Sequence, residues 1–584
     1  MGEGAPVGSH AGGDTPVTQG VGSLDAASDV VGAPSPLRRM LLRIVPALLV
    51  LTLAGCSGLR GTLDEASELF AEGGERVLKD PMRPARSGGR VLVIALDGVG
   101  EGRLSAALAA GDMPRLSAFL GADRGDGVFD HAYQARSVVS VFPSETAAGW
   151  AAVYTGTPPA ESGVTGNEWY DRDSLATFAP VPLSVGTIEQ TLSIWTDSLF
   201  SQVLVTPTLF ERADRRSFVA LGFVYRGADV LMPPDLNDVG DLVEGAVSAV
   251  FGGRDEIYEE LDDDAVEGVR RGLEKYGAPD LQIAYFPGVD LVAHAAGEEA
   301  QRAYLREETD PDIGAILDAY QELGVLDETT VVIVSDHGHG DVLADDRHSL
   351  DTGGRDEPPA LLDSLGYRLR DFSIDPDSSD ANVVMIYDEA VAMVYLANGT
   401  TCAEGQPCDW TVAPRLREDV LPLARAFRAA SDADTSGVGG LSGTLDLIFA
   451  RASDPTGRTS PPYRVFHEGR LIPVADYLRQ AGRTDLAALD QRLTWLTDGP
   501  LGHRAGDILL LARSGEDVPI EERFYFGAPR HSAHGGASPG QSHISLIVAQ
   551  PNGDGRALRD VMRAAVGDAP TQLDVTPLIL HLLR

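Results

Sequence analysis

Six apolar residues in a row, Val91 to Leu96 (VLVIAL), are closed off by Asp97-Gly98. A run that is apolar at every position, rather than at alternate ones, fits a strand covered on both faces, as in parallel sheets. The same texture returns in LQIAYF (281–286), TTVVIVS (329–335) and ISLIVAQ (544–550), while TLFERADRRSFVALGFV (208–224) reads as a helix followed by another strand. Strands alternating with helical stretches predict an α/β fold: a doubly wound, mostly parallel sheet sandwiched by helices. Such sheets bind ligands beyond the carboxyl ends of their strands. Three of these runs are followed within a few residues by Asp or His.

The texture changes after Leu350. NVVMIYDEAVAMVYLAN (382–398) alternates, TSGVGGLSGT (435–444) is rich in turn residues, and VADYLRQAGRTDLAALDQRL (474–493) is helical. These features predict an inserted cap subdomain over 351–502, dividing the catalytic core into a first part, 90–350, and a second part, 503–584. The core is expected to resume at GHRAGDILLLA (502–512) and to close on a terminal helix, DVTPLILHLLR (574–584). Residues 57–89 read as a polar tether with one short helix near Leu63 to Phe70.

A length of 584 residues suits three or four domains, or one α/β domain with insertions. There are 47 Lys and Arg against 87 Asp and Glu, a formal net charge of −40, and the basic residues form no run. A nucleic-acid groove or an anionic membrane surface as partner needs clustered positive charge and is not expected. An acidic surface also repels phosphorylated substrates at long range, so any phosphate site requires local positive charge, such as metal ions.

The N-terminus carries an address. Met40 to Cys56, MLLRIVPALLVLTLAGC, has basic Arg38, Arg39 and Arg43, a short apolar run and the ending Leu53-Ala54-Gly55-Cys56. The run is too short to span a bilayer comfortably and fits a secretory signal; a transmembrane anchor is the alternative. The ending resembles the bacterial lipoprotein signal, with Cys56 the lipidated residue. The expectation is a protein exported and lipid-anchored to a bacterial membrane, facing the periplasm or cell surface. Residues 1–39 lack an apolar period and read as a disordered leader, or an untranslated one if Met40 is the start. Cys402 and Cys408 flank a five-residue loop and suit a disulfide in an oxidising compartment, two free thiols being the alternative.

Candidate chemistry gathers at the strand ends. Asp97 follows the first run. Asp290 and His294 follow LQIAYF, four apart and so on one face of a helix. Asp336 and His337 follow TVVIVS, and His534 lies in RHSAHGG ahead of ISLIVA. Taken singly, each is more often a turn, cap, surface or core residue. Taken together at one sheet edge, three Asp and three His supply mixed nitrogen and oxygen donors suited to zinc. In FPSETAAGWAAVYTG (142–156), Thr146 stands at the mouth of an Ala-rich helix, either as a capping hydroxyl or as a nucleophile.

The motifs ALDGVG, FPSETAAGWAAVYTGTPPAESGVTGNEWYD, AYFPGVDLVAHAAG, VSDHGHGD and SAHGG occur in the order of the type I phosphodiesterase/nucleotide pyrophosphatase branch of the alkaline phosphatase superfamily, which this sequence resembles over most of 91–341 and again over 503–584. The resemblance implies an alkaline phosphatase-like fold and two zinc ions, or other divalent metals. One would be held by Asp290, His294 and His534 and the other by Asp97, Asp336 and His337, with Thr146 as nucleophile. It implies hydrolysis of a phosphate-ester or nucleotide-like substrate; nothing in the sequence sets the oligomeric state.

Departures from the family pattern bear on specificity. Many relatives have Thr-x-Pro-Asn where this chain has Thr146-Ala147-Ala148-Gly149, removing an amide that would contact a phosphoryl oxygen. Arg172 is the candidate replacement, a surface ion pair being its other reading, and Gly149, Asn167 and Arg172 form the expected substrate-binding set, Asn167 with a structural role. His339 stands where relatives often have Met; it and His348 read as groups around the metal site or as solvent-facing. A phosphomonoesterase on the same fold is the close alternative, favoured by Gly149 and Arg172. A non-catalytic surface binding lipoprotein is the alternative from another class. A sulfatase is disfavoured by the missing Cys-x-Pro-x-Arg motif, and phosphonate hydrolysis stays open.

Overall fold

In the computed structural model the described residues are 75–86, 88–180, 199–234, 255–350, 357–370, 380–403, 405–433, 440–452 and 461–584. The leader, the signal segment 40–56 with Cys56, and the tether as far as residue 74 lie outside them. Among the described residues no helix is long and apolar enough to cross a membrane.

The apolar runs assemble into one eight-stranded sheet, in the order Arg76–Val77, Val230–Met232, Ser217–Ala220, Leu281–Phe286, Arg90–Leu96, Thr329–Val334, Leu546–Ala549, Ala132–Gln134. The five strands from Val230–Met232 to Thr329–Val334 run parallel. Both faces are covered. Val91, Val93 and Ala95 face a core with Trp150, Leu578 and Ile579, while Leu92, Ile94 and Leu96 face one with Leu104, Leu116, Ile313 and Ile316. This double burial is why the strands read as unbroken apolar runs.

Three strands depart from the sequence reading. Arg76–Val77, within the segment read as a tether, pairs antiparallel with Val230–Met232 at the edge of the main sheet. Leu546–Ala549 is antiparallel to both neighbours, so its beginning, rather than its end, lies at the rim where the parallel strands finish. Ile508–Ala512, expected to resume the core, pairs instead between Val391–Leu396 and Leu445–Ala450 in a second, antiparallel sheet. That sheet runs Val383–Asp388, Val391–Leu396, Ile508–Ala512, Leu445–Ala450, Arg464–His467, Arg470–Pro473. All five residues of ILLLA are buried. A central antiparallel strand covered on both faces has the same apolar texture as a parallel one, and texture alone does not assign it to a sheet. Cys402 and Cys408 are joined in a disulfide beside this sheet.

The hairpin Trp169–Asp171/Ala176–Phe178 docks on the second sheet through Tyr170, whose ring meets Tyr395 and Trp410 edge-on. Arg172, one residue on, is buried and paired with Asp507, which is also buried and accepts the Leu396 amide (2.7 Å). The guanidinium thereby helps hold the hairpin to the sheet, the ion-pair reading rather than that of a phosphate-binding cation. Arg172→Met removes the ion pair from buried Asp507 and is expected to lower stability by about 3–5 kcal/mol in urea unfolding. A loss below about 0.5 kcal/mol, the range of ordinary surface substitutions, would contradict the pairing.

Candidate metal centre

The centre follows from strand register. Leu96 pairs with Phe286 and Ala95 with Val334, so the chain leaves these three parallel strands at one level. Asp97 and Asp336 come directly off two of them. The helix Gly288–Ala296 starts two residues after Phe286 and presents Asp290 and His294 from successive turns. Because Leu546–Ala549 runs the other way, the segment before it returns across the same rim. There Ser532–Ala533 pairs with Gly340–Asp341, which sets His534 beside His337, ring centroids 3.8 Å apart. Space is tight: a side chain on Gly98, at φ +66°, would meet Asp290 Oδ1 at 2.4 Å and His339 Nε2 at 2.6 Å.

Three groups of potential ligands result: Asp290 with His294 and His534, Asp97 with Asp336 and His337, and Asp290 with His337 and His339, ligand atoms within 4.8 Å in each. The first two bring together the six residues singled out from the sequence. Each carboxylate of the second group is anchored by one oxygen. Asp97 Oδ2 accepts from Trp150 Nε1 (3.1 Å) and from the Tyr285 hydroxyl. Asp336 Oδ1 accepts from the amides of Gly98 (3.1 Å) and His337 (2.9 Å). Their other oxygens, Asp97 Oδ1 and Asp336 Oδ2, are buried and accept no hydrogen bond. Both point at His337 Nε2, at 3.5 and 3.4 Å. Buried polar atoms are almost always satisfied. Two bare oxygens converging on one imidazole nitrogen fit a divalent cation.

The imidazoles are oriented to match. His294 Nδ1 bonds to Ser532 O (2.9 Å), His337 Nδ1 faces Gly338 O (3.3 Å), and His534 Nδ1 lies 3.1 Å from Glu145 Oε2. In His294 and His337 the engaged Nδ1 leaves Nε2 to face the centre, the arrangement in which an outer acceptor orients a metal-ligating histidine; His534 Nδ1 makes no hydrogen bond. Electrostatics point the same way. Burial, then the Asp290 charge, pushes Asp97 up to about 8. Burial and then Asp97 raise Asp336, and burial and then Glu389 raise Glu145. Burial disfavours charge on His294 too, but Glu389 and Asp290 outweigh it and push that group up to about 9. Carboxylates so placed are short of positive charge.

Thr146 opens the helix Thr146–Thr155 one residue after the N-cap, Glu145, whose side chain makes no capping bond. The Thr146 hydroxyl bonds to His337 Nε2 at 3.2 Å, which puts it at the second group rather than on an amide of its own helix. Asn167 Oδ1 accepts from the Ala147 amide (2.7 Å) and its Nδ2 donates to Glu145 (2.7 Å), tying down the turn that carries Thr146. Gly149 serves close packing: a Cβ there would lie 2.8 Å from Asp336 Cβ. The substitution that looked like a lost amide is what lets the helix approach Asp336.

His339 belongs to the centre, 2.6 Å from Asp290 Oδ1 and 2.8 Å from the Ser532 hydroxyl. His348 does not; it bonds to Asp345 and Glu521 O in a separate loop. Sequence reasoning missed Glu145, Glu389, Arg530 and Arg492. Arg492 is fully buried and reaches Ser140, Val141 O and Ser144, holding the segment that leads into Thr146. The position of Glu145 next to Thr146 was the one available signal.

A family model described as type I phosphodiesterase / nucleotide pyrophosphatase matches residues 91–396, a span that holds Thr146 and every ligand above except His534. Ectonucleotide pyrophosphatase/phosphodiesterase 2 of Saccharomyces cerevisiae is 26% identical over 216 residues, 36% of this chain. That match spans 40% of the yeast protein's length. The crystal structure of phosphonoacetate hydrolase from Sinorhizobium meliloti in complex with phosphonoformate superposes with a TM-score of 0.43 at 16% identity, over 85% of this chain and 96% of that one. At that score the likeness bears on neither fold nor activity.

Two expectations follow from the geometry. In metal-stripped protein Asp97 titrates near 8 rather than at its ordinary 3.8, so the folded state holds a proton that the unfolded chain has lost. The contribution of Asp97 to the stability of the stripped protein is therefore full below about 4 and is lost as pH rises to about 8. Melting temperatures after chelation should be lower at pH 8 than at pH 6, with the gap narrowing once a divalent metal is restored; the opposite slope would contradict the placement of Asp97. Gly149→Asn is expected to cost about 1–3 kcal/mol by overpacking against Asp336, read as a lower melting temperature; an unchanged value would show that the approach is not tight.

Proposed function

Since the chain belongs to the type I phosphodiesterase/nucleotide pyrophosphatase family, we propose that it hydrolyses phosphodiesters or nucleotide pyrophosphates at a two-zinc site, with Thr146 as nucleophile. The observation that carries the reading is the pair of bare oxygens, Asp97 Oδ1 and Asp336 Oδ2, facing His337 Nε2 while that nitrogen touches the Thr146 hydroxyl.

The donors fit zinc, with Asp290, His294 and His534 holding one ion and Asp97, Asp336 and His337 the other. Bound there, two cations would supply Lewis-acid charge to the attacking and leaving oxygens of an in-line displacement. Thr146 Oγ1, its proton released to solvent, attacks phosphorus as the bond to the leaving oxygen breaks, and that oxygen takes a proton from solvent. Water then cleaves the phosphoryl-threonine and restores the hydroxyl. A threonine hydroxyl is a weak nucleophile at its ordinary pKa and needs such activation. The positive end of its helix dipole would favour the phosphoryl oxygens, while the Ala147 amide is taken by Asn167 Oδ1. Asn167 fastens that turn through the Ala147 amide and Glu145, which supports its structural role. Arg172 and Gly149, which had favoured a monoesterase, are accounted for by Asp507 and Asp336 instead.

The signal read over Met40 to Cys56 supports an exported, lipid-anchored location, and a disulfide between Cys402 and Cys408 suits an oxidising compartment.

The test is hydrolysis of bis-p-nitrophenyl phosphate against p-nitrophenyl phosphate by zinc-loaded protein and by Thr146→Ala. The diester is expected to be the better substrate, and Thr146→Ala to lose roughly a thousandfold or more in kcat while keeping its zinc. A clear monoester preference would overturn the substrate class, and an active Thr146→Ala would overturn the nucleophile.

A further inference from the structure

One carboxylate outside the motifs read from the sequence stands over the first ligand group. Glu389 lies in the turn between Val383–Asp388 and Val391–Leu396, the outer hairpin of the second sheet. Its Oε1 is 3.6 Å from His294 Nε2 and 3.5 Å from His534 Nε2, the two nitrogens that the first cation would take. The residue is 8% exposed and is held by several bonds. Oε2 accepts from the His534 amide (2.7 Å), and Arg530 pairs with Oε1. Glu389 O accepts from Phe526 N (2.6 Å), and Ala390 N donates to His534 O (3.0 Å). The hairpin is thus laced to the segment that carries His534. Glu389 also keeps a left-handed backbone, φ +50°, a conformation that glycine or asparagine adopts at lower cost. A long acidic side chain retained at a strained turn, buried and aimed between two imidazoles, marks a site rather than a loop.

We infer that Glu389 is a fourth protein ligand of the first cation, added by the second sheet to Asp290, His294 and His534, and that an incoming phosphate ester displaces it. The inference rests on the two-zinc reading above. Three protein donors leave a zinc ion one position open for substrate, whereas four close it. A carboxylate in the fourth place keeps the cation coordinated between turnovers and must yield when a phosphoryl oxygen arrives. Arg530, already paired with the same carboxylate oxygen, receives it on release, so the displaced charge is not left alone in a buried site. Anionic ligands then compete with Glu389 for one position, and the resting affinity for phosphate is held down by that competition.

Zinc binding by the full chain decides the matter, measured by competition with a chromogenic chelator and followed in the cobalt-substituted protein by its absorption spectrum. Wild type is expected to hold two zinc ions. Glu389→Gln keeps an acceptor for the His534 amide and is expected to hold one of the two roughly tenfold or more less tightly. When fully loaded it should bind inorganic phosphate more tightly than wild type does. Glu389→Asp, which keeps the charge but withdraws it, should fall between them. Metal-free unfolding of the three proteins checks that the variants fold. If either variant folds and holds both ions with wild-type affinity, Glu389 serves only as a counter-ion for Arg530 and the inference fails. A wild type that takes up no zinc would refute the two-zinc reading itself, a result distinct from failure of Glu389 alone.

Discussion

Asp97, Asp290, Asp336, Glu145 and Glu389 are all buried at one rim of the main sheet, and the rest of the centre answers to the cost of keeping their charge out of water. A carboxylate moved into the interior either finds donors and counter-charge or takes up a proton. The protein supplies part of what is needed. Trp150, Tyr285 and the amides of Gly98 and His337 anchor one oxygen of each of two aspartates. Imidazoles and Arg530 face the others. What remains is a deficit of positive charge concentrated on two oxygens beside Thr146, and a pair of divalent cations would fill it.

Topology makes the convergence possible. Parallel strands deliver their carboxyl ends to a common edge, and three of them bring Asp97, Asp290 and Asp336 within reach of one another although they are far apart in sequence. The reversed strand Leu546–Ala549 lets a histidine from near the end of the chain enter from the opposite direction. The second sheet contributes Glu389 through a hairpin bonded to that same segment. Small residues at Gly98 and Gly149 allow the ligands and the Thr146 helix to close on each other.

Much of this was readable from the chain alone. The unbroken apolar runs located three of the five parallel strands and the reversed one, and an acid or imidazole just past a strand end carries its own positional meaning in an α/β sheet. What escaped reading depends on contacts between distant segments. Arg172 follows a motif and so looked functional, yet its partner, Asp507, lies 335 residues on. Ile508–Ala512 has the composition of a core strand and sits in the other sheet, because burial on both faces leaves the same imprint in either. Glu389 reads locally as an ordinary charged turn between two alternating strands; its importance comes from His294 and His534, which the sequence does not place beside it. Gly149 shows the reverse case, where a departure from a motif has a packing explanation visible only against Asp336.

The central claim is the placement of two cations, and anomalous scattering at the zinc absorption edge from crystals grown with zinc tests it most directly. Two peaks are expected, one among Asp290, His294 and His534 and one among Asp97, Asp336 and His337 next to the Thr146 hydroxyl. Full occupancy elsewhere on the surface with neither peak at the rim would contradict the account.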